Sequence, residues 1–113
     1  MVDPTVLTSV RQYLEVLPSF GIHARRAVLF GSFARGEADE WSDIDLIVIA
    51  PEFDEECDRL LVENLWSARA SADSRIEPIP CGEREWETDG ARPILEIARR
   101  EGTVIAPMSE STA

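Results

Sequence analysis

The chain has 113 residues, 44% hydrophobic and 29% charged, which places it among soluble globular proteins with room for one domain and a modest core. Its 22 acidic and 11 basic residues give a formal net charge of -11 at pH 7, which argues against a broad surface for a nucleic-acid backbone and suits a basic protein partner, or solubility alone. No secretory leader and no run of about 18 apolar residues can be read, and Cys57 and Cys81 form neither a disulfide framework nor a zinc motif, so reduced thiols in the cytoplasm are expected.

Asp3 and Pro4 open a helix, the first as N-cap and the second at the first helical position. Val6, Leu7, Val10, Leu14 and Leu17 recur at helical spacing, and Pro18 with Gly21 ends the run. His23, the only histidine, follows in a link with no second ligand at metal spacing, and is read as a surface residue rather than a general base.

A short apolar strand, Ala27 to Phe30, runs into Gly31-Ser32 and a one-turn helix closed by Gly36. Glycine lets a ligand approach the backbone, and the exposed N–H groups with the Ser32 hydroxyl suit a phosphate. Arg35 can add a contact to the same phosphate. No Gly-Lys-Ser/Thr follows, so the turn is not a P-loop. Residues 43 to 50 form a second strand, apolar on both faces after its start. Alternation puts Asp43 and Asp45 on one face, about 7 Å apart along the backbone. Two carboxylates that close require a shared proton or a divalent cation, and hard oxygen donors favour Mg²⁺ or Mn²⁺. Solvated strand-end residues are the alternative.

The acidic residues from Glu52 to Asp58 suit the N-terminus of a helix. Phe53, Cys57, Leu60, Leu61, Leu65 and Ala68 form its apolar stripe to about residue 70, which makes Cys57 a core residue, with Trp66 flanking the same face or partly exposed. Arg75 to Pro80 reads as a third strand, confined to an edge by Pro78 and Pro80. Residues 81 to 92 read as a polar connection with a single turn around Trp86, which either covers the sheet edge or meets a base or partner. Pro93 starts a last helix with Ile94, Leu95, Ile97 and Ala98 inward, Arg99 and Arg100 near its end and Gly102 as its stop. Thr103 to Ala106 adds a short strand. The expected organisation is one domain over residues 1–106 and a frayed tail from Pro107 to Ala113.

Gly31-Ser32, Arg35-Gly36 and Ser42-Asp43 with Asp45 together resemble the signature of the nucleotidyltransferase superfamily related to DNA polymerase beta, and especially its minimal members. The resemblance is strong over residues 28–50 and looser to about residue 106. It implies an α/β (α+β) fold, a small mixed β-sheet flanked by helices. It implies that Asp43 and Asp45 bind two Mg²⁺ ions, or Mn²⁺, about 3.5–4 Å apart, that Gly31, Ser32, Arg35 and Ser42 hold the nucleotide, and that ATP is the substrate. In the family a third carboxylate comes from a strand beside the Asp-x-Asp strand. Glu77 is the candidate, one methylene longer than the usual Asp, and an exposed edge residue is the alternative.

Larger relatives carry a further domain that shapes the acceptor side. The chain is therefore expected to take its acceptor from another chain or from a homodimer. Likeness to the minimal members implies an antitoxin that transfers AMP to a tyrosine of a HEPN-type ribonuclease toxin. Two other readings stand beside it: an antitoxin or scaffold acting by binding alone, and an enzyme that modifies a small molecule such as an antibiotic.

Overall fold

Among the described residues of the computed structural model, 3–38, 42–54, 59–88 and 92–107, a mixed sheet of four strands carries the fold. These are β1 (Arg26–Phe30), β2 (Ile44–Ile49), β3 (Ile76–Cys81) and β4 (Thr103–Ile105), in the order β3-β2-β1-β4. β1 is antiparallel to β2 and β4, while β2 and β3 are parallel. Parallel neighbours cannot be joined by a hairpin, and the chain between them contains the crossover helix α3 (Arg59–Ser67). Asp43 lies just before β2 rather than in it.

Alternation along the strands makes two apolar faces. Ala27, Leu29, Ile44, Leu46, Val48 and Ile76 face α1 (Pro4–Val16) and α3, packing on Val10, Tyr13, Leu14, Leu65 and Ala68. Val28, Phe30, Ile47, Ile49 and Cys81 face the other way, against Leu95 and Ala98 of α5 (Pro93–Glu101), with Trp86 of α4 (Glu83–Glu87) partly covering them. A central strand buried on both faces explains why β2 reads as a nearly unbroken apolar run. The expected small mixed sheet flanked by helices is present, as three layers.

The ends of α1 follow the sequence: Asp3 accepts the Thr5 N–H at 2.8 Å, and Gly21, at φ 84°, closes the turn after a short 3-10 segment. Tyr13, absent from the stripe read off the sequence, is fully buried and donates its hydroxyl to the Leu65 carbonyl. That carbonyl lies in the last turn of α3, where a helix has no partner of its own to offer. Burial pushes the Tyr13 phenol well above its ordinary range.

Several expectations are corrected. Leu60 and Ile97 are 63% and 43% exposed, not inward. At 100° per residue Leu60 lies about 140° around the helix from Leu65, and Ile97 about 160° from Leu95, so neither can share the buried face. Within the helix expected to run to about residue 70, Pro51–Phe53 form a 3-10 turn rather than helix, and after α3 the chain tightens into a second 3-10 turn, Ala68–Ser71. Cys57 and the acidic residues Glu55, Glu56 and Asp58 lie outside the described residues. Asp54 does sit at a helix N-terminus, but that of α4, accepting the Glu83 and Arg84 N–H groups at 2.9 and 3.1 Å.

The segment from residue 81 is not simply a polar connection. Cys81 ends β3 and is buried, with its thiol pushed up to about 12 by desolvation, so it is inert rather than nucleophilic. Arg99 stacks on the half-buried Trp86 ring at 4.8 Å and donates to the Glu85, Trp86 and Thr88 carbonyls, which fastens α4 to α5. β3 is an edge strand, as its prolines require, and Arg92 and Arg69 donate to the Pro80 and Ile76 carbonyls. Gly102 serves by close packing and not by a left-handed turn: a Cβ there would lie 2.5 Å from both Ala98 O and Val28 Cγ1. Pro107, expected to fray, is buried, and residues 108–113 lie outside the described residues. No helix among the described residues is long and apolar enough to cross a membrane.

Tyr13→Phe keeps the ring and removes only the hydrogen bond to Leu65. It should lower stability by about 1–2 kcal/mol with an unchanged urea m-value. An unaltered midpoint would show that the Leu65 carbonyl is satisfied some other way.

Candidate active site

The site forms where β1 ends and β2 begins. Register pairs Phe30 with Asp45 across the antiparallel ladder and Asp45 with Glu77 across the parallel one, so the three stand in one row. Alternation puts Asp45 on the same face as Ile47 and Ile49, and the buried Phe30 belongs to that apolar cluster. Asp43 and Glu77 are exposed and Asp45 is half-buried. The structure therefore brings together Asp43, Asp45 and Glu77, which the sequence placed 34 residues apart at its extremes (77 − 43).

Gly31 begins the turn directly beside this row, with φ 76° and ψ -152°, a conformation that side chains resist. Glycine is required for a second reason: a Cβ there would lie 2.3 Å from Asp45 Oδ2. The turn and the acidic strand are thus in contact. Ser32 opens α2 (Ser32–Arg35), and the Ala34 and Arg35 N–H groups return to the Gly31 carbonyl at 3.1 Å. Four residues make only a small helix dipole, so a phosphate held here would rely on individual donors more than on a helix macrodipole. Ser42, half-buried, immediately precedes Asp43.

Desolvation first, and the Asp43 charge second, raise the pKa of Asp45. Desolvation, then the charges of Asp43 and Asp45, raise that of Glu77. The three carboxyl groups thus lie near enough to perturb one another. Such mutual perturbation at a strand end marks a functional site more often than a structural one. A purely oxygen donor set under this repulsion fits a hard divalent cation, which would be held by Asp43, Asp45 and Glu77. No group of three His, Cys, Asp and Glu side chains among the described residues is arranged as a ready-made cation site, so these carboxylates would have to turn toward it.

Two arginines brace the surroundings. Arg75 forms a two-pronged pair with Asp73, at 3.1 and 2.8 Å, and lies 5.6 Å over the Phe33 ring, while its carbonyl accepts the Ile44 N–H at 2.9 Å. Its side-chain hydrogen bonds, more than its charge, hold the Asp73 carboxyl below its ordinary range. Through Arg75 the start of β3, the start of β2 and α2 are linked. Arg35, read as a phosphate ligand, contacts Glu37 at 3.3 Å and Glu101 at 3.6 Å. Its charge also acts on Asp45 in the lowering direction. Sequence reasoning assigned no role to Glu37 or Glu101. Glu37 could have been suspected from its nearness in the chain; Glu101 carried no signal, because only folding brings it to Arg35. His23 is exposed, as expected, and pairs with Glu52 at 2.8 Å at the far end of β1 from the carboxylates.

A glycine turn set against clustered carboxylates on a mixed sheet is an arrangement suited to a phosphorylated substrate and a divalent cation. The chain belongs to the nucleotidyltransferase domain family, whose profile matches residues 10–97. No curated protein matches it. Its fold is similar to the crystal structure of "a putative nucleotidyltransferase from Sulfolobus solfataricus", with a TM-score of 0.60 and 18% identity over 92% of this chain and 82% of that one. At that identity the likeness speaks to the fold alone.

The raised carboxyl pKa values have a defined consequence for stability. The folded chain holds these protons more tightly than the unfolded chain, so the contribution is fully present below the ordinary carboxylate range. It is lost as pH rises through the raised values. In chelator, Asp45→Asn should therefore melt above the wild type at neutral pH and lose that advantage in acid. Mg²⁺ or Mn²⁺ should raise the melting temperature of the wild type only. Equal melting curves at every pH would show that the carboxylates are not coupled.

Gly31→Ala should destabilise the fold and abolish any cation-induced shift, since the methyl group meets the Asp45 carboxylate. A normal melting temperature together with a normal metal shift would contradict the close approach.

Proposed function

We propose that this protein is a metal-dependent nucleotidyltransferase that moves AMP from ATP to a tyrosine hydroxyl of a partner protein, a HEPN-type ribonuclease toxin, and so acts as its antitoxin. Membership of the nucleotidyltransferase domain family supports the reaction class. The observation that carries the reading furthest is the row that sets Asp45 beside Glu77 with the Gly31-Ser32 turn against it. The partner and acceptor rest on the resemblance to minimal nucleotidyltransferases.

In this reading Gly31 and Ser32 hold the β- and γ-phosphates, Arg35 and Ser42 assist, and Asp43, Asp45 and Glu77 hold Mg²⁺. The bound cation supplies neutralisation of the charge that triphosphate and carboxylates bring together. The acceptor hydroxyl attacks the α-phosphorus in line. The new O–P bond forms as the bond to the β-phosphate oxygen breaks, and pyrophosphate leaves. Glu77, exposed and in its ionised form, takes the hydroxyl proton. The exposure of Asp43 and Glu77 favours a macromolecular acceptor that brings its own wall over a small molecule enclosed in a pocket; a wide cleft lies elsewhere, lined by Leu14, Pro18, His23 and Arg25.

The test is the intact mass of a HEPN-type partner after incubation with this protein, ATP and Mg²⁺. One or more AMP masses should appear, and vanish with Asp43→Asn/Asp45→Asn, which removes several kcal/mol of transition-state stabilisation on the order expected for metal ligands. A stable complex with no mass gain would favour neutralisation by binding alone, and turnover on a small molecule with no partner present would favour the antibiotic-type reading.

A further inference from the structure

The Arg35 guanidinium offers a phosphate two forks, one made by Nε with Nη2 and one by Nη1 with Nη2. In the folded chain each fork already faces a carboxylate: Nε lies 3.3 Å from Glu37 Oε2, and Nη1 lies 3.6 Å from Glu101 Oε2. A nucleotide phosphate cannot take either fork in a two-pronged way without displacing one of them. The two carboxylates are not equivalent. Glu37 is two residues away in the chain and hydrogen-bonded to Nε, so it travels with Arg35. Glu101 comes from another element and makes the longer contact.

Glu101 is also poorly placed for its own helix. It is the last residue of α5, where the carbonyl ends of the helix disfavour negative charge. Its backbone stays near Arg35, because Gly102 next to it has its N–H bonded to Ala98 O at 2.8 Å and leaves no room for a Cβ, which would lie 3.0 Å from Leu29 O in the strand that leads into the Gly31-Ser32 turn. The backbone thus holds a carboxylate against the one cationic group that the sequence assigns to the phosphates.

We propose that Glu101 is a built-in competitor for the nucleotide: its carboxylate occupies one fork of Arg35 until a phosphate replaces it, and this exchange sets nucleotide affinity. The inference rests on the proposed nucleotide site and deepens it. Because Arg35 and Glu101 are 44% and 42% exposed, the pair is weak and the exchange is facile. Displacement also frees α2 from the end of α5, so nucleotide binding loosens one tie between the phosphate turn and the helix above the second sheet face.

Equilibrium binding of an ATP analogue with a methylene bridge between the α- and β-phosphates, measured with Mg²⁺ on the full chain, tests this. Glu101→Gln should bind about two- to fivefold more tightly than the wild type at low salt, and the gain should shrink as ionic strength rises. In an Arg35→Gln background the same substitution should change nothing. Glu63→Gln, which removes one charge from a remote pair with Arg59, should also leave affinity unaltered. Weaker binding by Glu101→Gln would overturn the proposal and make Glu101 a positioning residue for Arg35. A similar gain from Glu63→Gln, or one that persists without Arg35, would overturn it in favour of a general charge effect. No nucleotide binding by the wild type would sink the functional reading itself; wild-type binding with no change in Glu101→Gln would sink only this inference.

Discussion

Repulsion among carboxylates at one end of the sheet is the constraint on which the site depends. Asp43, Asp45 and Glu77 would separate if the chain allowed it, but two strand ladders forbid this. β2 is paired on both sides and buried on both faces, so Asp45 cannot leave its row, and the parallel register holds Glu77 beside it. The hydrophobic effect, acting over the apolar strands, supplies the work that keeps like charges together. Desolvation first, and this repulsion second, raise the carboxyl pKa values of Asp45 and Glu77.

Around this row the fold is organised as braces. Gly31 lets its turn touch Asp45, so the backbone groups of the turn and the carboxylate oxygens share one surface. Arg75 gathers β2, β3 and α2 through its carbonyl, its pair with Asp73 and the Phe33 ring. On the far face of the sheet Tyr13 ties α1 to α3, and behind the site Arg99 ties α4 to α5. Tyr13 and Arg99 act as donors to backbone carbonyls, which hold short helices in place where a core of this size has little apolar area to spare.

The same economy governs the cations near the site. Arg35 is shared between carboxylates of the protein and, in the proposed reaction, phosphates of the substrate. In the proposed reaction a chain with a net charge of -11 would have to draw a polyanionic nucleotide to an acidic strand end, which would make the cation and the few arginines decisive for affinity. In that reading the exposure of Asp43 and Glu77 places the choice of acceptor on the surface that would dock over them.

The sequence alone determined the local elements and the chemistry of the motif. Alternation in β2, the Asp3-Pro4 start of α1, the prolines that confine β3 to an edge and the Gly31-Ser32 turn are all rules of near neighbours, and near neighbours are what a sequence displays. The reading failed where three-dimensional context decides. Leu60 and Ile97 are apolar yet exposed, because the buried arc of a helix depends on what packs against it. Asp54 caps α4 rather than α3, and Tyr13 reaches Leu65 across 52 residues. Only the tertiary structure could set Glu77 in register with Asp45, bring Gly31 against that carboxylate and carry Glu101 to Arg35. Strand pairing and helix docking are long-range choices made by burying the whole apolar surface at once, and no spacing within the chain encodes them.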